Sequence, residues 1–200
     1  MTPQDILEKY YGYTEFRPGQ KQIIDQILAG QNTLAIMPTG GGKSLCYQVP
    51  ALLLPGLTLV VSPLISLMKD QVDSLRDSGI HAGFINSSQS WEETRQILAA
   101  AANGELKLLY IAPERLEQPG FMERLQHLHV ALAAIDEAHC ISQWGHDFRK
   151  SYLALSSILP QIQSQPTIIA LTATATTEVA QDIMARLDVP PENEVKTGFA

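Results

Sequence analysis

Pro38-Thr39-Gly40-Gly41-Gly42-Lys43-Ser44 stands between an apolar run over residues 33–37 and a helical pattern from residue 43, giving the order strand, glycine loop, helix. In that order the stretch reads as a phosphate-binding loop. Gly40, Gly41 and Gly42 let backbone N–H groups turn inward as an anion nest with no Cβ in the way, and the following helix presents its positive end to phosphate. Lys43 is placed to reach β- and γ-phosphates, and the Ser44 hydroxyl to ligate Mg²⁺. The usual pattern opens with a glycine at position 37. Met37 stands there, which makes this a helicase-like variant. The bland alternative is a glycine-rich turn that binds nothing, and the Gly-Lys-Ser ending argues against it.

The charge balance limits the partners. With 14 Lys+Arg against 21 Asp+Glu and a net charge of -7, the chain has no global attraction for a polyanion, so any nucleic-acid binding must be local. A hydrophobic content of 45% predicts a sizeable core in one domain spanning 1–200. Cys46 and Cys140 form no C-x-x-C pair, which argues against a zinc site or disulfide framework and makes a reducing cytoplasm the simplest location. The first residues lack the basic-then-apolar order of a signal peptide, and Pro50, Pro55 and Pro63 interrupt the longest apolar stretch, so no membrane segment is expected.

Thr2, Pro3 and Asp5 predict a capped helix to about residue 11, and a second helix is expected from Pro18 to before Gly30. Strands are then predicted over 33–37, 57–62, 81–85, 107–111, 130–135 and 167–171. Helices are predicted over 43–48, 64–78, 91–102, 121–128, 152–159 and 178–187. Continuous apolar strands separated by helices argue for an α/β fold with a parallel sheet covered on both faces. Residues 191–200, polar after two prolines, read as the exit from the domain.

Such sheets bind ligands at the carboxyl ends of their strands. At one such end lie Asp136-Glu137-Ala138-His139, where one carboxylate can hold Mg²⁺ and the other orient an attacking water. Alone, an acid pair usually marks a solvated turn; a phosphate loop upstream reverses that expectation. His139 is a candidate for coupling this site to a neighbour.

Seven segments in order carry a resemblance. They are Phe16-Arg17-Pro18-Gly19-Gln20, the glycine loop, the run from Val61-Ser62-Pro63 to Asp70-Gln71, Tyr110-Ile111-Ala112-Pro113-Glu114-Arg115, Asp136-Glu137-Ala138-His139-Cys140, Ile141 to Arg149, and Leu171-Thr172-Ala173-Thr174-Ala175. Over nearly all its length the chain resembles the first RecA-like domain of RecQ-family DNA helicases, superfamily 2 enzymes. One departure is Lys150-Ser151, where proline and an acid are expected.

The resemblance implies an ATP- and Mg²⁺-dependent helicase lobe with 3′-to-5′ polarity. It implies Lys43, Asp136, Glu137 and His139 as catalytic residues and Ser44 with Asp136 at the metal. Tyr13, Arg17 and Gln20 join Thr39 and the glycine loop around the nucleotide, with Tyr13 and Arg17 sandwiching the base. The Gln20 amide matches adenine, accepting from N6 and donating to N7. Ser62, Pro63 and the Pro113-Glu114-Arg115 run resemble segments on the single-strand backbone, though each alone would be a Pro-ended strand. Trp144, His146, Phe148 and Arg149 form an aromatic-rich loop implied to sense single-stranded DNA, base stacking contributing roughly 1 to 3 kcal/mol each. The competing reading packs Trp144 and Phe148 against the sheet. Thr172 and Thr174 resemble the motif linking hydrolysis to strand separation. Implied partners are single-stranded and partly duplex DNA, a second RecA-like lobe that donates an arginine finger, and a single-strand DNA-binding protein. The implied location is cytoplasmic, at the nucleoid in a bacterium. Rival readings are a catalytically silent nucleotide-binding module and a P-loop ATPase acting on protein or RNA, the latter disfavoured by the Trp144 loop.

Overall fold

Strands apolar on both faces belong in the middle of a covered sheet, and the computed structural model, which describes residues 1–40 and 42–198, forms one. Seven parallel strands are ordered β3-β4-β2-β5-β6-β1-β7. They are β1 Thr33–Ile36, β2 Leu57–Val61, β3 Ala82–Ile85, β4 Leu108–Ile111, β5 Val130–Ile135, β6 Thr167–Thr172 and β7 Glu194–Lys196. The helices are α1 Pro3–Ile6, α2 Gln20–Leu28, α3 Leu45–Leu53, α4 Ile65–Asp77, α5 Trp91–Ala102, α6 Pro113–Leu116, α7 Phe121–Gln126, α8 Lys150–Ile158 and α9 Thr177–Leu187.

Strand order and right-handed crossovers decide which face each helix covers. Connections that step one way along the sheet place α3 and α4 on the face shared with α2, where Ile23, Tyr47 and Val72 pack on Ala35, Val60 and Tyr110. Those that step back place α5, α7, α8 and α9 on the other, where Leu98, Phe121, Tyr152 and Ile183 pack on Leu59, Leu109 and Ile135. Alternation divides each strand between the two: in β4, Leu109 and Ile111 face one layer and Leu108 and Tyr110 the other.

The predicted cap is present, Thr2 Oγ1 accepting from Asp5 N at 3.1 Å and Asp5 Oδ2 from Thr2 N at 2.9 Å, and the helix continues to Tyr11 as a π-helical segment. Residues 191–198 correct the expected exit: Glu194–Lys196 forms a seventh strand beside β1, with Leu34 opposite Glu194. Three residues are too few for alternation to reveal a strand. Helix α3 also runs past the predicted end, through Pro50, to Leu53. At the departure Lys150-Ser151, α8 begins on Lys150 with Arg149 as N-cap, so lysine occupies the first-turn position that also suits proline. Gly41, Phe199 and Ala200 lie outside the described residues.

Candidate functional site

Parallel strands in register bring their carboxyl ends to one edge. Ile36 lies opposite Thr172 and Ile135 opposite Ala170, so the segments after β1, β5 and β6 emerge side by side. Met37 N donates to Thr172 O at 3.0 Å and Asp136 N to Val61 O at 2.9 Å, which extends the ladder into the loops themselves.

The glycine loop turns on Gly40 and Gly42, with φ of 82° and 80°, a region open to glycine. At Gly42 a Cβ would also collide with Gln20 Nε2. Ser44 then caps α3. Gln20, only 1% exposed, ties this loop to the segment before α2: its Oε1 accepts from Arg17 N at 2.8 Å and its Nε2 donates to Gly42 O at 3.0 Å. Arg17 donates from Nη1 to Gly40 O. An amide oxygen has two acceptor sites and an amide nitrogen two donors, so each end of Gln20 retains one valence after gripping the backbone. Tyr13 is 53% exposed and, with Arg17, Gln20, Gly40, Gly42, Lys43, Ser44 and Asp136, lines a cleft of about 560 Å³. Thr39 is exposed and does not line the cleft, and Gly41 is not among the described residues.

Asp136 accepts from Glu137 N through Oδ1 at 2.9 Å, while Tyr152 donates to its backbone carbonyl at 2.7 Å from beneath the sheet. Burial, and next the Glu137 charge, push its carboxyl up to about 6 against the pull of Lys43. Glu137 sits at φ 52°, ψ 44°, a left-handed conformation rare outside glycine that costs on the order of 1 kcal/mol or more. It starts the 3-10 turn Ala138–Ile141.

That turn buries His139 against β6. Thr172 Oγ1 donates its single proton to Thr174 O at 3.1 Å, so across the 2.8 Å contact it is His139 Nδ1 that donates to Thr172. Glu137 Oε2 lies 3.6 Å from the same nitrogen. On its other side the His139 ring stacks on His146, centroids 4.8 Å apart and planes 13° apart. Burial lowers the His139 pKa, with Glu137 opposing, which favours the neutral ring. One histidine thereby touches Glu137, the threonine motif and the aromatic loop.

The loop after the turn folds back over it. Gly145 N donates to Ser142 O at 3.1 Å, and a Cβ on Gly145 would lie 2.9 Å from His139 O. Trp144 is 76% exposed, which corrects the reading that packs it against the sheet; Phe148 and Arg149 are half-buried and Arg149 pairs with Asp147 at 3.4 Å. His139, Cys140 and Asp147 also place ligand atoms within 4.8 Å of one another, a grouping that cysteine spacing gave no hint of. Their groups already serve each other: burial, then Asp147, pushes the Cys140 thiol up to about 12, and its Sγ donates to Asp147 at 3.8 Å.

Two of the segments expected on a nucleic-acid backbone are partly committed inside the protein. Ser62 Oγ accepts from Leu64 N at 3.2 Å and is buried, while Pro63 is partly exposed. Arg115 is a brace, donating to Asn86 O at 3.1 Å, Thr94 Oγ1 at 3.0 Å and Gln118 Oε1 at 3.1 Å. Conversely, Tyr11, Tyr47, Gln48 and Gln71 line the cleft without having been singled out. Tyr47 and Gln48 lie one turn beyond the loop, the only local hint of their place.

The DEAD/DEAH box helicase family profile matches residues 17–183. Among similar proteins, the ATP-dependent DNA helicase RecQ of Bacillus subtilis is 54% identical over 98% of this chain and 34% of its own length. RecQ of Pasteurella multocida is 51% identical over 94% of this chain and 30% of its own length. The chain thus spans about a third of these relatives. Two solved structures share the fold: the DUF1998 helicase MrfA bound to DNA and AMPPNP (TM-score 0.77, 18% identity, 100% of this chain and 29% of that one) and the Hef helicase domain of Pyrococcus furiosus (TM-score 0.69, 22% identity, 91% and 37%).

Proposed function

The chain belongs to the DEAD/DEAH box helicases, and from that footing we propose that it is the ATP- and Mg²⁺-binding first lobe of a RecQ-type DNA helicase moving 3′ to 5′ on single-stranded DNA. The observation that carries the reading is the convergence of Gly40, Gly42, Lys43, Ser44 and Asp136 on one cleft at one sheet edge, with Glu137 the next residue after Asp136.

The residues fit the implied groups. The Ser44 hydroxyl and the Asp136 carboxylate are hard oxygen donors suited to Mg²⁺, and the charge Asp136 carries against desolvation is one a cation would stabilise. When bound, Mg²⁺ supplies neutralisation of phosphate charge. Lys43 holds the β- and γ-phosphates, and the N–H groups of the loop cradle them. Glu137, next in sequence to Asp136 and in a left-handed backbone conformation, would orient the attacking water. Gln20 offers its remaining acceptor and donor to adenine N6 and N7, between Tyr13 and Arg17. His139 carries the state of this site to Thr172 and to the loop of His146, where Trp144, Phe148 and Arg149 meet single-stranded DNA beside Ser62 and Pro63.

The relatives' greater length supports further domains; on this reading these include a second RecA-like lobe that closes the cleft, with single-stranded and partly duplex DNA as substrates and a single-strand DNA-binding protein as a further partner. Among the described residues no helix is long and apolar enough to cross a membrane, and a location with DNA, at the nucleoid in a bacterium, completes the proposal. Calorimetry tests its core. Lys43→Ala is expected to abolish MgATP binding with the fold intact, and unchanged affinity would reject the assignment.

A further inference from the structure

Along the cleft wall formed by Tyr11, Tyr47, Gln48 and Gln71, with Tyr110 behind it, lies a run of side-chain hydrogen bonds to which the nucleotide assignment gives no role. Tyr11 OH donates to Gln48 Oε1 at 2.8 Å, and Gln48 Nε2 donates to Tyr110 OH at 3.0 Å. Tyr47 OH donates to Gln71 Oε1 at 3.2 Å and lies 2.8 Å from Tyr110 OH. A phenol has one proton. Because Tyr47 directs its own to Gln71, Tyr110 must donate to Tyr47, and the five groups form a one-way chain from Tyr11 to Gln71. No member can turn without leaving a buried donor or acceptor unpaired, a costly state away from water. Tyr47 and Tyr110 are both almost wholly buried, their rings edge to face at 6.2 Å.

The elements joined are what give the run a role. Tyr47 and Gln48 occupy the first turn of α3, shortly after Lys43 and Ser44; Tyr110 stands on β4, an inner strand between β3 and β2; Gln71 belongs to α4. Helix α4 begins immediately after Ser62 and Pro63 and exposes Leu64 and Leu67 near its start. A phosphate bound in the glycine loop would bear on the first turn of α3, and Tyr47 is the side chain through which that turn bonds to α4 and to Tyr110 on the sheet.

We propose that Tyr110 is a positioning residue that, through Tyr47 and Gln48, locks the phosphate-loop helix α3 to α4, so that nucleotide binding is transmitted to the face of the molecule where α4 begins. This rests on the reading of the cleft as an ATP site.

Amide hydrogen exchange on the 200-residue chain, with and without saturating MgATP, tests it. In the parent, nucleotide is expected to slow exchange in α4 as well as in the glycine loop and α3. Tyr110→Phe keeps the ring and removes only the hydroxyl. It should bind MgATP within about fivefold of the parent, the lower edge of a significant coupling, with the loop still responding and the α4 response lost. If Tyr110→Phe does not fold, Gln71→Leu cuts the run at its half-buried end and should likewise abolish the α4 response. A fully retained α4 response in whichever variant folds, or a parent that binds MgATP with no change in α4, overturns the proposal. A parent that binds no MgATP, behaving like Lys43→Ala, instead overturns the nucleotide reading and this inference with it.

Discussion

Asp136 and Glu137 are adjacent carboxylates whose surroundings separate their tasks. Asp136 is raised to about 6 by burial and by Glu137, from an ordinary value of 3.8. A carboxyl raised on folding stabilises the native state below its unfolded pKa, and that contribution is lost as pH rises through the folded one. Without Mg²⁺, this group therefore destabilises the fold by about 3 kcal/mol at pH 7 relative to pH 3.8, since each pKa unit corresponds to roughly 1.4 kcal/mol. Asp136→Asn is expected to raise the melting temperature of the metal-free chain at pH 7 and to flatten its stability between pH 4 and pH 7. A variant whose melting tracks the parent's across that range would refute the shift. Gln20 makes a second prediction, of a different kind. Its amide grips Arg17 N and Gly42 O and keeps one acceptor and one donor for a base. GTP presents O6 where ATP presents an amino group, so the parent should favour ATP by about 1 to 3 kcal/mol and Gln20→Ala should lose that preference. Equal ATP and GTP affinities in parent calorimetry would reject it.

The aromatic loop between the 3-10 turn and α8 is held by its backbone and by His146, while Trp144 projects outward. Exposed side chains contribute little to stability. Trp144→Ala should change unfolding free energy by no more than about 0.5 kcal/mol, yet in an enzyme extended to two lobes it should lose most of the stimulation of ATPase by single-stranded DNA. Surviving stimulation would remove Trp144 from the sensing surface. Gly145→Ala should lower stability as well as stimulation, because its Cβ meets His139 O at 2.9 Å and the turn below must shift.

One sheet presents one wall of a nucleotide site. Each arginine is engaged within the chain: Arg17 on Gly40 O, Arg76 on Ala82 O, Arg115 on Asn86 and Thr94, Arg124 over the Trp91 ring, and Arg95, Arg149 and Arg186 on Glu92, Asp147 and Asp182. Charge developing on a transferred phosphoryl group needs an arginine finger, which contributes roughly 10³ to 10⁵ in rate. The chain alone is therefore expected to bind MgATP, hydrolyse it barely and unwind nothing, with turnover rising by that order when a second lobe is added. Steady-state turnover of the 200-residue chain that matches the two-lobed form and vanishes on Glu137→Gln would refute this. Much of this molecule was legible in one dimension because its signals are local: six apolar strand runs, the Thr2–Asp5 cap, the glycine loop and the acids after β5 each lie within a few residues. The short strand β7 was not legible, since its three residues become a strand only by pairing with β1. Nor were the left-handed backbone at Glu137, the bond from His139 to Thr172 or the linked tyrosines of the cleft wall. Those depend on which strand lies beside which, and hydrogen bonds between residues tens of positions apart are fixed by sheet order and crossover handedness, which no local pattern in the chain records.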